Sequence, residues 1–269
     1  MVTLPLKLSA SPIWKALVVI LGVTLLVVWG LNTPSGLLGK ADSIAYAVCH
    51  RIDSHTFHLG DREIPLCARC SGMYLGALLG IAYQLARGRY SSIPPRKILA
   101  FFAVLFALFG LDGVNSYLHF FPQAPQLYPP QNWLRLTTGT GMGLAVSAVI
   151  LPVFHQSVWT NAKPGSALGS WRALAGLLAL AAVMDLLFAS ENPLVLYPLA
   201  LLSAAGVLIL LGMVYTLIWV MLFRAENRFQ RWSQLWFPLT GGLVTALLQV
   251  ALFDLGRFWL TGTWSGFNL

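Results

Sequence analysis

Charge is what this sequence has least of. Asp, Glu, Lys and Arg make up 10% of its 269 residues, against 57% hydrophobic ones, which excludes a soluble domain with an ordinary charged surface. Cysteine is scarcer still: there are three, one fewer than the two pairs that a thiol relay enzyme generally uses. No glycine-rich phosphate loop or dinucleotide fingerprint occurs, so nucleotide-driven chemistry is not expected. The two-residue alternation of a membrane β-barrel strand is missing as well. What the chain has in abundance is long, unbroken apolar sequence.

Seven such runs, at about 13–31, 65–86, 98–121, 133–154, 171–190, 196–223 and 235–260, match the roughly 20 residues that cross a bilayer as a helix. The pattern predicts an all-α integral membrane protein: one polytopic bundle over 1–269, with about seven transmembrane helices. No small-residue cleavage site follows the first run, which therefore reads as a retained helix. Lys and Arg number 17 against nine acids, and where they fall sets the topology. Eleven of them are Lys7 and Lys15 or lie in the segments 87–97, 163–172 and 224–231, all on one side if the helices alternate. The positive-inside rule makes that side cytoplasmic, with the N-terminus in and the C-terminus out. The basic balance then reflects topology and contact with anionic lipid of the bilayer, and nucleic acid is not an expected partner.

This orientation puts the polar segment 32–64 on the extracytoplasmic side. It carries Cys49-His50, and sixteen residues later the second helix opens with Cys67-Ala68-Arg69-Cys70. Three thiols and an imidazole are the donor set of a tetrahedral zinc-type site. Cys49, His50, Cys67 and Cys70 are therefore the expected ligands of a metal ion, zinc before others. Four protein ligands would close the site and make the metal structural, whereas three ligands and a water would leave it open for chemistry. Other readings stay open: a structural disulfide, inert thiols, or a quinone-linked membrane thiol–disulfide oxidoreductase working at a helix mouth. His55 and His58 are secondary ligand candidates, and Arg69 is placed to offset the charge of three thiolates.

A second group lies in the helices. Asp112, Asn115, Ser116 and His119 recur at i, i+3, i+4 and i+7 and so form one polar stripe. Arg135 and Thr138 share a face of the next helix. Together with Arg69 they suggest a polar pocket beneath the metal site, with Asp112 as a proton acceptor, a counter-charge to Arg135 or a structural pair. Asp185 and Asp254 read as structural groups near outer helix ends, Asp254 with Arg257 three residues on. Gly72, Gly76 and Gly80 on the second helix and Gly139 and Gly143 on the fourth have the spacing that lets two helix backbones approach closely.

Cys49-His50 and the run Pro65-Leu66-Cys67-Ala68-Arg69-Cys70-Ser71-Gly72-Met73-Tyr74, with Gly76, resemble the motif of a prokaryotic membrane-protein family catalogued as "domain of unknown function 2085". The likeness extends to Asp112-Gly113, Asn115 and the stretch Asn132, Arg135, Thr138-Gly139, covering roughly 45–150. The helices at 171–260 match no motif. The resemblance implies that these residues form one unit in a prokaryotic plasma (inner) membrane. It supplies no activity, so whether the chain is an enzyme stays open. A non-catalytic subunit docked on a membrane partner subunit is a further reading.

Overall fold

A computed structural model describes residues 11–266 except 122, 124 and 126; Lys7 lies outside them. The chain forms α1 (Pro12–Asn32), α2 (Gly36–Val48), α3 (Ala68–Arg87), α4 (Arg96–Leu118), α5 (Asn132–Val158), α6 (Trp171–Ala189), α7 (Pro193–Leu222) and α8 (Trp236–Thr261). A two-residue hairpin, β1 (His58–Leu59) against β2 (Arg62–Glu63), is the sheet among the described residues. The protein is thus all-α in architecture. Six helices, α1 and α4 to α8, are long and apolar enough to cross a membrane.

The remaining long helix, α3, is the exception that explains itself. From Cys67 to Ile81 none of its residues is exposed, because α5, α6 and α7 pack around it. A helix sheltered by other helices needs no apolar coat, which is why its sequence is less hydrophobic than its neighbours'. The opposite case is α1, which packs on α8 and is exposed over most of its length.

The tightest seam joins α3 to α5, and small residues make it. A Cβ on Gly72 would run into the Leu136 carbonyl, and one on Gly139 into the Arg69 carbonyl. Gly143 meets the Met73 carbonyl in the same way. Backbone therefore lies on backbone, as the sequence spacing suggested, and any side chain at these positions would force the helices apart.

The two ends of the bundle differ in chemistry. At one end the basic loops are knit together: Tyr90 bridges to Lys163 and Trp159 to Phe229, and Arg89 Nη1 donates to the Gln230 carbonyl at 2.8 Å. At the other end lies the cysteine-bearing segment. Asn132, opening α5, donates to the Thr56 carbonyl at 2.9 Å, and Glu191, just past α6, accepts from the His58 amide at 3.3 Å.

One expectation is corrected here. Residues 32–64 are not a continuous polar loop, since α2 occupies 36–48 and buries Ala41, Ile44, Ala45 and Tyr46. Lys40 and Asp42 dilute the apolar signal of this helix, yet both are held: Lys40 donates to the Thr33 carbonyl at 3.0 Å and Asp42 pairs with Arg51 at 3.2 Å.

Candidate metal centre

The cysteines meet where two helices end. Cys49 caps the C-terminus of α2, its amide donating to the Ala45 carbonyl at 2.8 Å. Arg51, at a φ of 52°, then turns the chain back over the bundle. Cys67 sits at the N-cap of α3 and Cys70 in its first turn. The i, i+3 spacing of a helix start puts both side chains on one side. Leu66, wholly buried, fixes the approach, its carbonyl accepting from Thr56 Oγ1 at 3.3 Å and Ser71 Oγ at 3.2 Å.

The three sulfurs lie within 4.8 Å of one another, and all three thiols are unpaired. Zinc–sulfur bonds of about 2.3 Å place neighbouring ligands of a tetrahedron roughly 3.8 Å apart, so a modest inward movement would close them on one ion. His50 Nδ1 is 3.8 Å from Cys49 Sγ, but the group of donor atoms all within 4.8 Å of one another is the three cysteines without His50. Its other nitrogen, Nε2, lies 3.0 Å from His55 Nδ1. His55 is buried and rests on Phe120 with ring centroids 5.6 Å apart. Burial, and secondarily Arg135, pushes its pKa down to about 4, so the ring is neutral. For His50 to ligate through Nδ1 its proton would have to sit on Nε2, where the neutral His55 could accept it, as the outer partners of metal-ligating histidines do.

The thiols show what the cluster lacks. Hydrogen bonds from Cys67 and then Cys70 hold Cys49 well below the usual thiol range, and the Cys67 amide approaches its sulfur at 3.4 Å. The same contact with Cys49 pushes Cys67 up to about 12. A divalent cation bound to the sulfurs would displace the protons of the thiols. The donor set therefore fits a thiophilic metal.

Beneath the cysteines the polar stripe is in place, with different partners from those expected. Asp112 is 1% exposed and pairs with Arg69, which donates from Nε at 3.1 Å and also from Nη2. Tyr128 Oη at 3.0 Å and Thr138 Oγ1 at 3.3 Å complete its shell. Arg135 is not its counter-ion: its Nη1 donates to Asn132 Oδ1 at 2.8 Å, and its Nε approaches Ser116 Oγ at 3.4 Å. Arg69 thus points away from the sulfurs, because the buried carboxylate on α4 is the stronger demand. Asn115 holds the 127–128 backbone, donating to the Tyr128 carbonyl and accepting from the Leu127 amide, both at 2.9 Å. His119 is exposed at the end of α4. His58 forms an exposed pair with Asp53 at 2.8 Å, and Asp185 accepts from Thr140 Oγ1 at 2.7 Å.

Two residues that sequence reasoning undervalued hold the ligand segment. His55 is one. The other is Arg257 of α8, whose guanidinium lies 4.0 Å from the Tyr46 ring centroid. Its Nη1 donates to the carbonyls of Tyr46, at 2.7 Å, and Cys49, and its Nη2 to that of His50 at 3.3 Å. A cation at a helix C-terminus was the available signal, but α2 had not been recognised as a helix.

Part of the chain resembles other proteins. A family profile described as "Predicted membrane protein (DUF2085)" matches residues 49–149, from the first cysteine to well into α5. A protein of Methanothermobacter thermautotrophicus, called "Uncharacterized protein", is 35% identical over 106 residues, which are 39% of this chain and 86% of its own. The chain belongs to the DUF2085 family. A second relative, an uncharacterized protein of Methanocaldococcus jannaschii, is 27% identical over 117 residues, 43% of this chain and 69% of its own. No solved structure matches. The DUF2085 segment holds the three thiols, His50, the Arg69–Asp112 pair and the glycine seam, whereas Arg257 and the helices α6 to α8 lie beyond it.

Proposed function

We propose that this protein is a polytopic membrane protein of a prokaryotic plasma membrane in which Cys49, His50, Cys67 and Cys70 hold one structural zinc ion on the extracytoplasmic side. The observation that carries the reading is the meeting of three sulfurs within 4.8 Å of one another, with the His50 Nδ1 at 3.8 Å from one of them. Four protein donors leave no open position, so the metal would staple the segment after α2 to the start of α3. The orientation rests on the gathering of Lys and Arg at the opposite end of the bundle. Seven spanning helices follow if α3, sheltered inside the bundle, is counted with the six apolar ones.

Under the metal, Arg69, Asp112, Asn115, Arg135 and Thr138 would act as the floor that keeps α3, α4 and α5 in register below the staple. Elemental analysis of the purified protein, with a count of free thiols after unfolding without reductant, tests the site. About one zinc per chain with three free thiols, and loss of the metal in Cys67→Ser and Cys70→Ser, is the expected result. No metal with a single free thiol would replace this reading by a disulfide, and the thiol–disulfide oxidoreductase would then be the function to pursue.

A further inference from the structure

Helix α8 carries a carboxylate that the zinc staple does not use. Asp254 is 3% exposed. Trp29 Nε1 of α1 donates to its Oδ2 at 2.9 Å, while Oδ1 is buried without a hydrogen-bond partner. Two cations in the neighbourhood are committed elsewhere. Arg257, one turn on, is spread over the carbonyls of Tyr46, Cys49 and His50. Lys40 lies 5.8 Å from the Trp29 ring centroid but donates to Thr33 Oγ1 at 2.8 Å and to the Thr33 carbonyl at 3.0 Å. Among the described residues no ion pair to Asp254 forms.

This carboxylate is also deep. It lies seven residues before Thr261, the last residue of α8, roughly 10 Å along the helix. An ionisable group inside a membrane protein normally faces a cavity or a partner, and here there is a cavity. A space of about 630 Å³ lies between α1 and α8, lined by Trp29, Asn32, Thr33, Asp254, Phe258 and Trp264 among others. Its volume is that of a small-molecule site, apolar over most of its wall with a few polar groups.

We propose that this cavity binds an organic ammonium carried on an apolar body, with Asp254 as its counter-charge. Arg257 attracts Asp254 through space without pairing with it, and a primary ammonium would bring a direct ion pair and N–H donors for the second oxygen. The aromatic faces of Trp29, Phe258 and Trp264 suit the same cation, and the aliphatic wall suits its apolar body. An anion would be repelled by the carboxylate, and a neutral chain would leave it without an ion pair. Two sources share this chemistry, the head of an aminophospholipid and a free lipophilic amine.

The test titrates dodecylammonium into the full-length protein in phosphatidylcholine nanodiscs, by calorimetry, beside dodecanol. Wild type should bind the ammonium at least tenfold more tightly than the alcohol, and Asp254→Asn should lose that preference. Equal affinity of wild type for ammonium and alcohol overturns the proposal whether or not the variant folds. So does a well-folded Asp254→Asn that keeps the preference. Repeating the titration in phosphatidylethanolamine separates the sources of a preference already seen. Competition by that lipid assigns the site to the lipid head, and unchanged binding assigns it to a free amine. Zinc content is read in parallel and should not move in Asp254→Asn, so failure here is distinct from failure of the staple.

Discussion

Replacing Asp112 by Asn isolates the electrostatic centre of the bundle. The side chain is 1% exposed and its partner Arg69 is 17% exposed, so water can replace little of what is lost. The amide keeps one oxygen, so either Tyr128, which donates to Oδ1, or Thr138, which donates to Oδ2, loses its acceptor along with the charge. The substitution leaves Arg69 without a counter-ion and close to Arg135, since both guanidinium groups approach the same Ser116 hydroxyl. Removing one member of a buried pair costs about 3–5 kcal/mol. The residual exposure of Arg69 puts the expectation at the lower end, about 3 kcal/mol. For a chain of this size that is a fall of roughly 6–12 °C in Tm, measurable by tryptophan fluorescence on heating in detergent. The double variant Asp112→Asn with Arg69→Met removes the orphaned charge and should recover about 2 kcal/mol relative to additivity. A shift below 1 °C for Asp112→Asn, or strictly additive single variants, would refute the claim that this pair organises the three helices.

Three further outcomes follow from the same geometry. Gly143→Leu places a side chain against the Met73 carbonyl; it should separate α3 from α5 and abolish folded yield, whereas Gly110→Leu, in open space, should be tolerated on size-exclusion chromatography. His55→Phe keeps the packing on Phe120 but removes the hydrogen-bond partner of His50 Nε2. It should weaken zinc retention about 10–100-fold in a chelator competition, and unchanged retention would argue against His50 as a ligand. Stripping the metal with a chelator should raise the maleimide reactivity of Cys49 and Cys67, and adding back zinc should restore protection. Thiols equally reactive before and after would count against the staple.

Much of this was legible in the chain, for reasons that differ by residue. The long helices announce themselves because lipid imposes one composition on any helix that faces it. The α3–α5 seam was visible because a glycine every fourth residue has few purposes in a membrane other than close approach. The cysteines could be grouped because ligand spacing is local. Pairings between distant side chains were another matter. Arg135 was the expected counter-charge for Asp112 and Arg69 was assigned to the thiolates, because nothing in one dimension says that the first turn of α3 reaches α4 before α5 does. Tyr128 is nearer in sequence to Asp112, but it lies in a segment with no periodicity to place it. Helix α2 was missed because at 13 residues it is too short to span a bilayer, and Lys40 and Asp42 made it read as polar.

The carbonyl grip of Arg257 has a consequence for the order in which the molecule is built. All three thiols and His50 have been made once residue 70 is added, but the guanidinium that fastens their segment arrives 187 residues later. At about 5–20 residues per second this is an interval of roughly 10–40 s. The grip of Arg257 can therefore close on this segment only after the sulfur-bearing residues have been made, and the last helix completes what the first half of the chain begins.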